Sequence, residues 1–185
     1  MLVNKPKGFT LVELVVGIVV FSIALVSFMS LVVPQAIRSV DPIYQIRASE
    51  LGQSLLNEIT SKSFDENSDR TGGATLCGAP STTITCTDVD DLGPDDDENR
   101  TAFDDVDDYH GLNVSNSDIK NSLNQSIVLN DSFLYAGFSL NVNVVYDEDM
   151  NGTADTAVGN TKLITVTITT PNNEDISFSS FRSNY

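Results

Sequence analysis

The sequence predicts an α+β fold: a long N-terminal helix, apolar in its first half and amphipathic in its second, packed on a C-terminal antiparallel β-sheet and joined to it by a long irregular αβ-loop. Three observations predict it. From Leu14 to Val33 twenty consecutive residues carry no charge. From Ile37 to Ile59 apolar residues recur every three or four positions, and from Phe138 onward they alternate with polar ones. Charge divides the 185-residue chain in the same way, residues 1–62 holding five basic and four acidic side chains and residues 63–185 five basic and 22 acidic. A formal net charge of −16 argues against nucleic acid as a partner, because phosphates would be repelled.

The apolar run comes first. Twenty helical residues rise roughly 30 Å, the hydrocarbon thickness of a bilayer. A cleavable secretory signal fits badly, since the run is too long and PQAIRS rather than a small-x-small site follows it. Lys5 and Lys7 precede the run, so the positive-inside rule keeps the first residues cytoplasmic and exports the bulk. Glu13 is out of place in this stretch, because an ionised carboxylate in hydrocarbon costs several kcal/mol without a partner.

Around Glu13 the chain reads Lys7-Gly8-Phe9-Thr10-Leu11-Val12-Glu13. KGFTLVE followed by an apolar helix resembles the class III signal of type IV pilins and type II secretion pseudopilins. The resemblance implies that a membrane prepilin peptidase/methyltransferase cuts after Gly8, releasing residues 1–8 as a leader, and methylates Phe9. It also implies that Glu13 meets the N-terminal amine of a neighbouring subunit, which resolves the physical puzzle: a buried carboxylate is tolerable once paired.

The membrane helix is expected over residues 9–33, with Pro34 ending it. Many pilins carry a proline nearer the middle of that helix, and this chain departs from them there. An amphipathic helix is expected over 34–62, kinked or restarted near 34–42, where Asp41-Pro42 offers an N-cap and a first-turn proline. Ile37, Val40, Tyr44, Ala48, Leu51, Leu55 and Ile59 form its apolar stripe, which reads as core facing a sheet.

Residues 63–133 lack periodicity and read as the irregular loop. Cys77 and Cys86 enclose eight residues, and in an exported domain they are expected to form a disulfide worth roughly 2–3 kcal/mol. Zinc is the weaker reading, because His110 is the only histidine available to complete a site. Asp88, Asp90, Asp91, the run Asp95–Glu98, and Asp104, Asp105, Asp107 and Asp108 are expected to be a solvated acidic surface. Nothing in their spacing nominates a catalytic pair, and His110 reads as a hydrogen-bonding loop residue.

Residues 134–185 are expected to be the sheet. Phe138 to Tyr146, Ile164 to Ile168 and Ile176 to Phe178 alternate with a period of two, and Pro171-Asn172-Asn173 separates the last two strands. Between the first two strands Asp147, Asp149, Asn151, Gly152, Thr153 and Asp155 fall at positions 1, 3, 5, 6, 7 and 9 of an EF-hand-like Ca²⁺ loop. Val158 stands where the bidentate acid belongs, and a polar hairpin tip accounts for the same residues without metal.

Longer segments, RSVDPIYQIRASELGQSLLNEI, FDENSDRTGG and FDDVDDYHGL, resemble minor pilins of the mannose-sensitive haemagglutinin (MSHA) pilus. That resemblance implies a structural subunit rather than an enzyme, held in the inner membrane with its C-terminal domain periplasmic. Its partners would be an inner-membrane assembly platform and the other major and minor pilins of a helical fibre at the cell surface. Two alternatives are a minor pseudopilin of type II secretion and a membrane-anchored periplasmic calcium-dependent enzyme or sensor.

Overall fold

The computed structural model describes residues 8–38, 41–68, 76–95 and 98–185 and divides into two compact units, residues 1–43 and 44–185. In the first unit helix α1 spans Leu11–Arg38. Its Leu11–Ser30 stretch has a mean hydropathy of 2.6, is long and apolar enough to cross a membrane, and buries none of its window within the protein. Three serines interrupt the run without exposing unmet donors. Ser22 donates to Ile18 O (2.8 Å), Ser27 to Ile23 O (2.9 Å) and Ser30 to Ser27 O (2.8 Å), the internal satisfaction that hydrocarbon demands.

Pro34 does not end the helix, contrary to the expectation from sequence; α1 runs four residues past it. A proline forfeits one backbone hydrogen bond, and a helix with sound turns on either side bends there more readily than it stops. Helix α2 spans Asp41–Thr60. Of the expected stripe, Ile37 therefore belongs to α1, and Val40 lies outside the described residues, as do leader positions 1–7.

The second unit is built on α2. Ala48, Leu51, Leu55 and Ile59 are buried, spaced as the apolar periodicity requires. They meet Leu140, Val142, Val144, Ile164, Val166 and Ile168 from one face of an antiparallel sheet. Its long strands are β4 (Ser139–Tyr146), β5 (Thr161–Thr169) and β6 (Asp175–Ser183). Helix and sheet approach closely at Gly52, where a Cβ would overlap the Phe178 ring. Only glycine lets β6 sit that near. Tyr44 and Tyr135 each set a ring edge-on to Phe138 at 5.8 Å, closing one end of the core.

The loop expected over 63–133 is more structured than its sequence suggests. Strand β1 (Asn113–Ser115) pairs antiparallel with β4, making the sheet order β1-β4-β5-β6. Strands β2 (Val128–Leu129) and β3 (Ser132–Phe133) form a separate small hairpin. Elements of two or three residues are too short to show a period, so sequence patterning passes over them.

Candidate functional site

Thr10 and Glu13 make a capping box at the start of α1. The Glu13 amide donates to Thr10 Oγ1 (3.2 Å), while Glu13 Oε2 accepts from the Thr10 amide (3.3 Å). The T-x-x-E spacing that signals this motif is visible in the sequence. The carboxylate thus sits in the first turn, where the helix dipole favours negative charge. Gly8, Phe9 and Thr10 precede the helix in irregular backbone, and Phe9 is 86% exposed. The Gly8–Phe9 peptide bond therefore lies outside hydrogen-bonded structure, and Gly8 has open space where a side chain would be. A protease must hold its substrate extended, and this bond needs no helix unwound first.

Cys77 and Cys86 are joined as a disulfide, with Cα atoms 4.8 Å apart. The bridge packs with Phe64 and Tyr146 in a small second core. Polar contacts fasten its loop. Tyr146 Oη donates to Thr87 O (2.8 Å), the Cys77 amide donates to Ser68 Oγ (3.1 Å), and Asn184 Nδ2 donates to Cys77 O (2.9 Å).

Beside this second core lies a group that sequence reading misses. Lys162, on β5, is fully buried. Its Nζ donates to Phe64 O (2.8 Å), to Asp65 Oδ2 (3.3 Å) and to Asp107 Oδ1. The Phe64 and Tyr146 rings stand 4.3 and 5.0 Å from the same nitrogen. Lys162 falls between two residues of an alternating strand, and a lone lysine there reads as solvent-facing. No sequence signal marks it.

Its acidic neighbours correct a second expectation. Asp88, Asp90, Asp91, Asp95 and Asp104 are exposed, as a solvated surface requires, and Asp96 and Asp97 lie outside the described residues. Asp105, Asp107 and Asp108 are each only 2% exposed. Asp105 and Asp108 are buried because they satisfy their own loop's backbone, and Asp107 because it meets Lys162. Asp108 Oδ2 accepts from the Asp104 (2.8 Å) and Asp105 (3.1 Å) amides, and Asp105 Oδ1 accepts from those of Asp107 (2.6 Å) and Asp108 (3.1 Å). Burial, reinforced by Asp107 and Asp108, pushes Asp105 up to about 8. Burial also raises Asp107, to about 6, against the opposing pull of Lys162.

The same loop seats Tyr109, fully buried, whose hydroxyl donates to Glu58 Oε1 (2.8 Å) on α2. Burial raises that phenol above its ordinary range, and Arg100, 2.6 Å from the same Glu58 oxygen, lies across the ring. His110 sets Nδ1 2.6 Å from Val144 O, tying the loop to β4 as a hydrogen-bonding residue.

The β4–β5 connection carries the residues expected to hold calcium. Asp147 is buried, its two oxygens accepting from the amides of Asn151 (3.0 Å) and Gly152 (2.8 Å). Asp149 Oδ1 accepts from the Asn151 amide (3.2 Å), Asn151 Oδ1 from that of Thr153 (2.8 Å), and Asp155 Oδ2 from that of Glu148 (2.8 Å). Gly152 adopts φ +85°, the left-handed conformation glycine takes without strain. The carboxylates of Asp147, Asp149 and Asp155 do not converge within 4.8 Å of one another. The Asp147 oxygens, Asp149 Oδ1 and Asp155 Oδ2 each keep a second lone pair beyond the amide bond, whereas Asn151 Oδ1 also accepts from the Thr153 hydroxyl.

Residues 3–29 match the family model described as the prokaryotic N-terminal methylation motif. No curated protein and no solved structure matches the chain. The motif covers Gly8, Phe9, Thr10 and Glu13, and it implies processing by a prepilin peptidase and assembly with other pilins.

Proposed function

We propose that this protein is a minor structural subunit of an MSHA-type type IV pilus, resembling the minor pilin MshD; the methylation motif at residues 3–29 supports the pilin part of the reading. One observation carries the pilin part of this reading: the proposed peptidase site, in irregular backbone, stands immediately before a capped helix whose apolar Leu11–Ser30 stretch is exposed. Cleavage after Gly8 would free the Phe9 amine at the mouth of that helix. Glu13, held in the first turn by Thr10, then presents its carboxylate to the amine of an adjacent subunit. An ammonium partner removes the cost of an ionised group in hydrocarbon, and it does so only on assembly. In this proposal the membrane stores the subunit and the fibre receives it, with the second unit exported and placed on the pilus surface for attachment. The MSHA assignment rests on the three longer segments quoted from the sequence.

We propose in addition that the β4–β5 loop takes Ca²⁺ weakly. Asp147, Asp149, Asn151, Thr153 and Asp155 supply hard oxygens at alternate positions, and Asp149 and Asp155 would turn inward to complete the shell.

The test of the main reading is the intact mass of the protein purified from membranes. The expected mature chain begins at a methylated Phe9, and replacing Gly8 with Trp leaves residues 1–8 attached. A wild-type chain that retains the leader, or a Gly8→Trp chain processed normally, overturns the proposal.

A further inference from the structure

The buried lysine has a chemical possibility that an ordinary ion pair lacks. Lys162 Nζ is in hydrogen-bond contact with Asp107 Oδ1, one covalent bond from the carboxyl carbon. A second carboxylate, that of Asp65, stands 3.3 Å from the same nitrogen, and both it and the lysine side chain are fully buried. Two aromatic rings, Phe64 and Tyr146, wall the nitrogen off from water. An amine, an acyl carbon and a base are thereby held together in a dry pocket. Fixed proximity in such a pocket replaces a bimolecular encounter.

We propose that Lys162 and Asp107 condense to an intramolecular isopeptide bond, with Asp65 carrying the proton. The two carboxylates have different surroundings. Asp65 accepts from the Asn67 amide (3.1 Å) and, through Oδ2, from the Thr87 amide (2.9 Å), which fixes its carboxylate beside Nζ where a proton carrier is needed. Asp107 has Oδ1 on Lys162, and among the described residues its buried Oδ2 accepts no hydrogen bond of ordinary geometry, the setting of an acid held neutral. The upward displacement of Asp107 accords with that role.

The step balances. Asp65 carboxylate takes one proton from the Lys162 ammonium. The freed Nζ lone pair attacks Cγ of the protonated Asp107, forming the C–N bond. The C–O bond of the tetrahedral adduct then breaks, and the hydroxyl departs with a second nitrogen proton relayed through Asp65. One amide, one water and a protonated Asp65 result from one ammonium, one carboxylic acid and one carboxylate. No oxidant or cofactor takes part. The product would tie the 103–109 loop to β5 by a covalent bond that survives reduction, unlike the disulfide near it.

The experiment uses the full-length protein extracted in detergent, reduced and denatured. Its intact mass is expected to fall one water short of the processed sequence. Trypsin should leave a branched product joining peptide 101–120 to peptide 121–182, because an acylated Lys162 is not cut. A wild-type chain of full mass, cleaved after Lys162 into 121–162 and 163–182, overturns the proposal. Asp107→Ala should restore the full mass; a water deficit that persists there, with the branch moved to Asp65, overturns the choice of acyl partner. Asp65→Asn retains both reacting groups and should accumulate uncondensed chain; condensation at the wild-type level overturns the proton-carrying role. The wild-type reading needs no variant to fold.

Discussion

The two units of this chain invert each other. Residues 11–30 leave an entire helix of leucine, valine, isoleucine and phenylalanine uncovered, whereas the second unit buries Asp65, Asp105, Asp107, Asp108, Asp147 and Lys162. Each breaks the ordinary rule that apolar groups go inside and charges outside. The breaches differ in where their remedy lies. The apolar helix finds its solvent in a bilayer or in other helices, so nothing within the chain covers it. The buried charges find their partners within a few residues or across the sheet, so their remedy is already made. One region is incomplete by itself, and the other is over-determined.

If the second unit is over-determined, removing one charge from its interior should cost more than any other single change. Lys162→Met preserves volume but removes the buried partner of both Asp65 and Asp107, whether Lys162 is condensed with Asp107 or paired with it as an ion. A loss of about 3–5 kcal/mol is expected, read as a lowered denaturation midpoint of the protein in detergent. A change under about 1 kcal/mol would mean that the buried lysine is incidental to the fold.

The pH dependence sharpens the same point. Asp105 binds its proton more tightly folded, at about 8, than unfolded, near 3.8, with Asp107, Asp108 and Lys162 facing it. The folded state therefore holds more protons between these values, and stability must fall as pH rises from about 4 to about 8, then level off. Thermal midpoints at pH 5 and pH 8 test the sign, and Asp105→Asn should flatten the slope. A midpoint that climbs toward pH 8 would contradict the buried-acid geometry.

The first unit should respond in the opposite manner. Glu13→Gln keeps the acceptor for the Thr10 amide but removes the charge, so processing and the melting of the second unit should be unchanged. Fibre incorporation should drop, since a hydrogen bond to a charged partner is worth about 1.5–3 kcal/mol. The quantity of the variant in sheared pili measures it. Equal incorporation would show that Glu13 serves only as half of the capping box.

These contrasts explain what was legible. The N-terminal motif, the apolar run, the α2 stripe and the three long strands all advertise themselves through local order: KGFTLVE in seven residues, a period of 3.6 at Ala48–Ile59, a period of two at Ser139–Tyr146. The cysteine pair followed from compartment chemistry. What stayed hidden depends on distant partners. Lys162 and Asp107 are 55 positions apart, and Asp65 lies further still from Lys162. The string Asp104–Asp108 was misread for a related reason: four acids in five residues look solvated unless one knows that they accept each other's amides. Pro34 misled because a helix continuing beyond a proline is decided by the turns around it.

The smallest effect concerns the β4–β5 loop, where the two kinds of remedy meet. Its carboxylates are satisfied by backbone amides, as in the rest of the second unit, yet three of them share one hairpin tip and repel. A cation would relieve that repulsion from outside, as the bilayer does for α1. Extracellular calcium modules bind with dissociation constants of about 10⁻⁴–10⁻³ M. At about five times that constant the stabilisation is only about 1 kcal/mol. The melting midpoint with millimolar calcium, less the midpoint with chelator, should therefore rise by a few degrees. The difference is the readout, because Asp147 holds two amides and its loss would lower both midpoints alike. Asp149→Ala combined with Asp155→Ala spares those two bonds and should abolish the difference. A response that survives the double substitution would assign calcium to the exposed acids around Asp88–Asp104. No response in the wild-type protein would leave amide capping as the whole purpose of the loop.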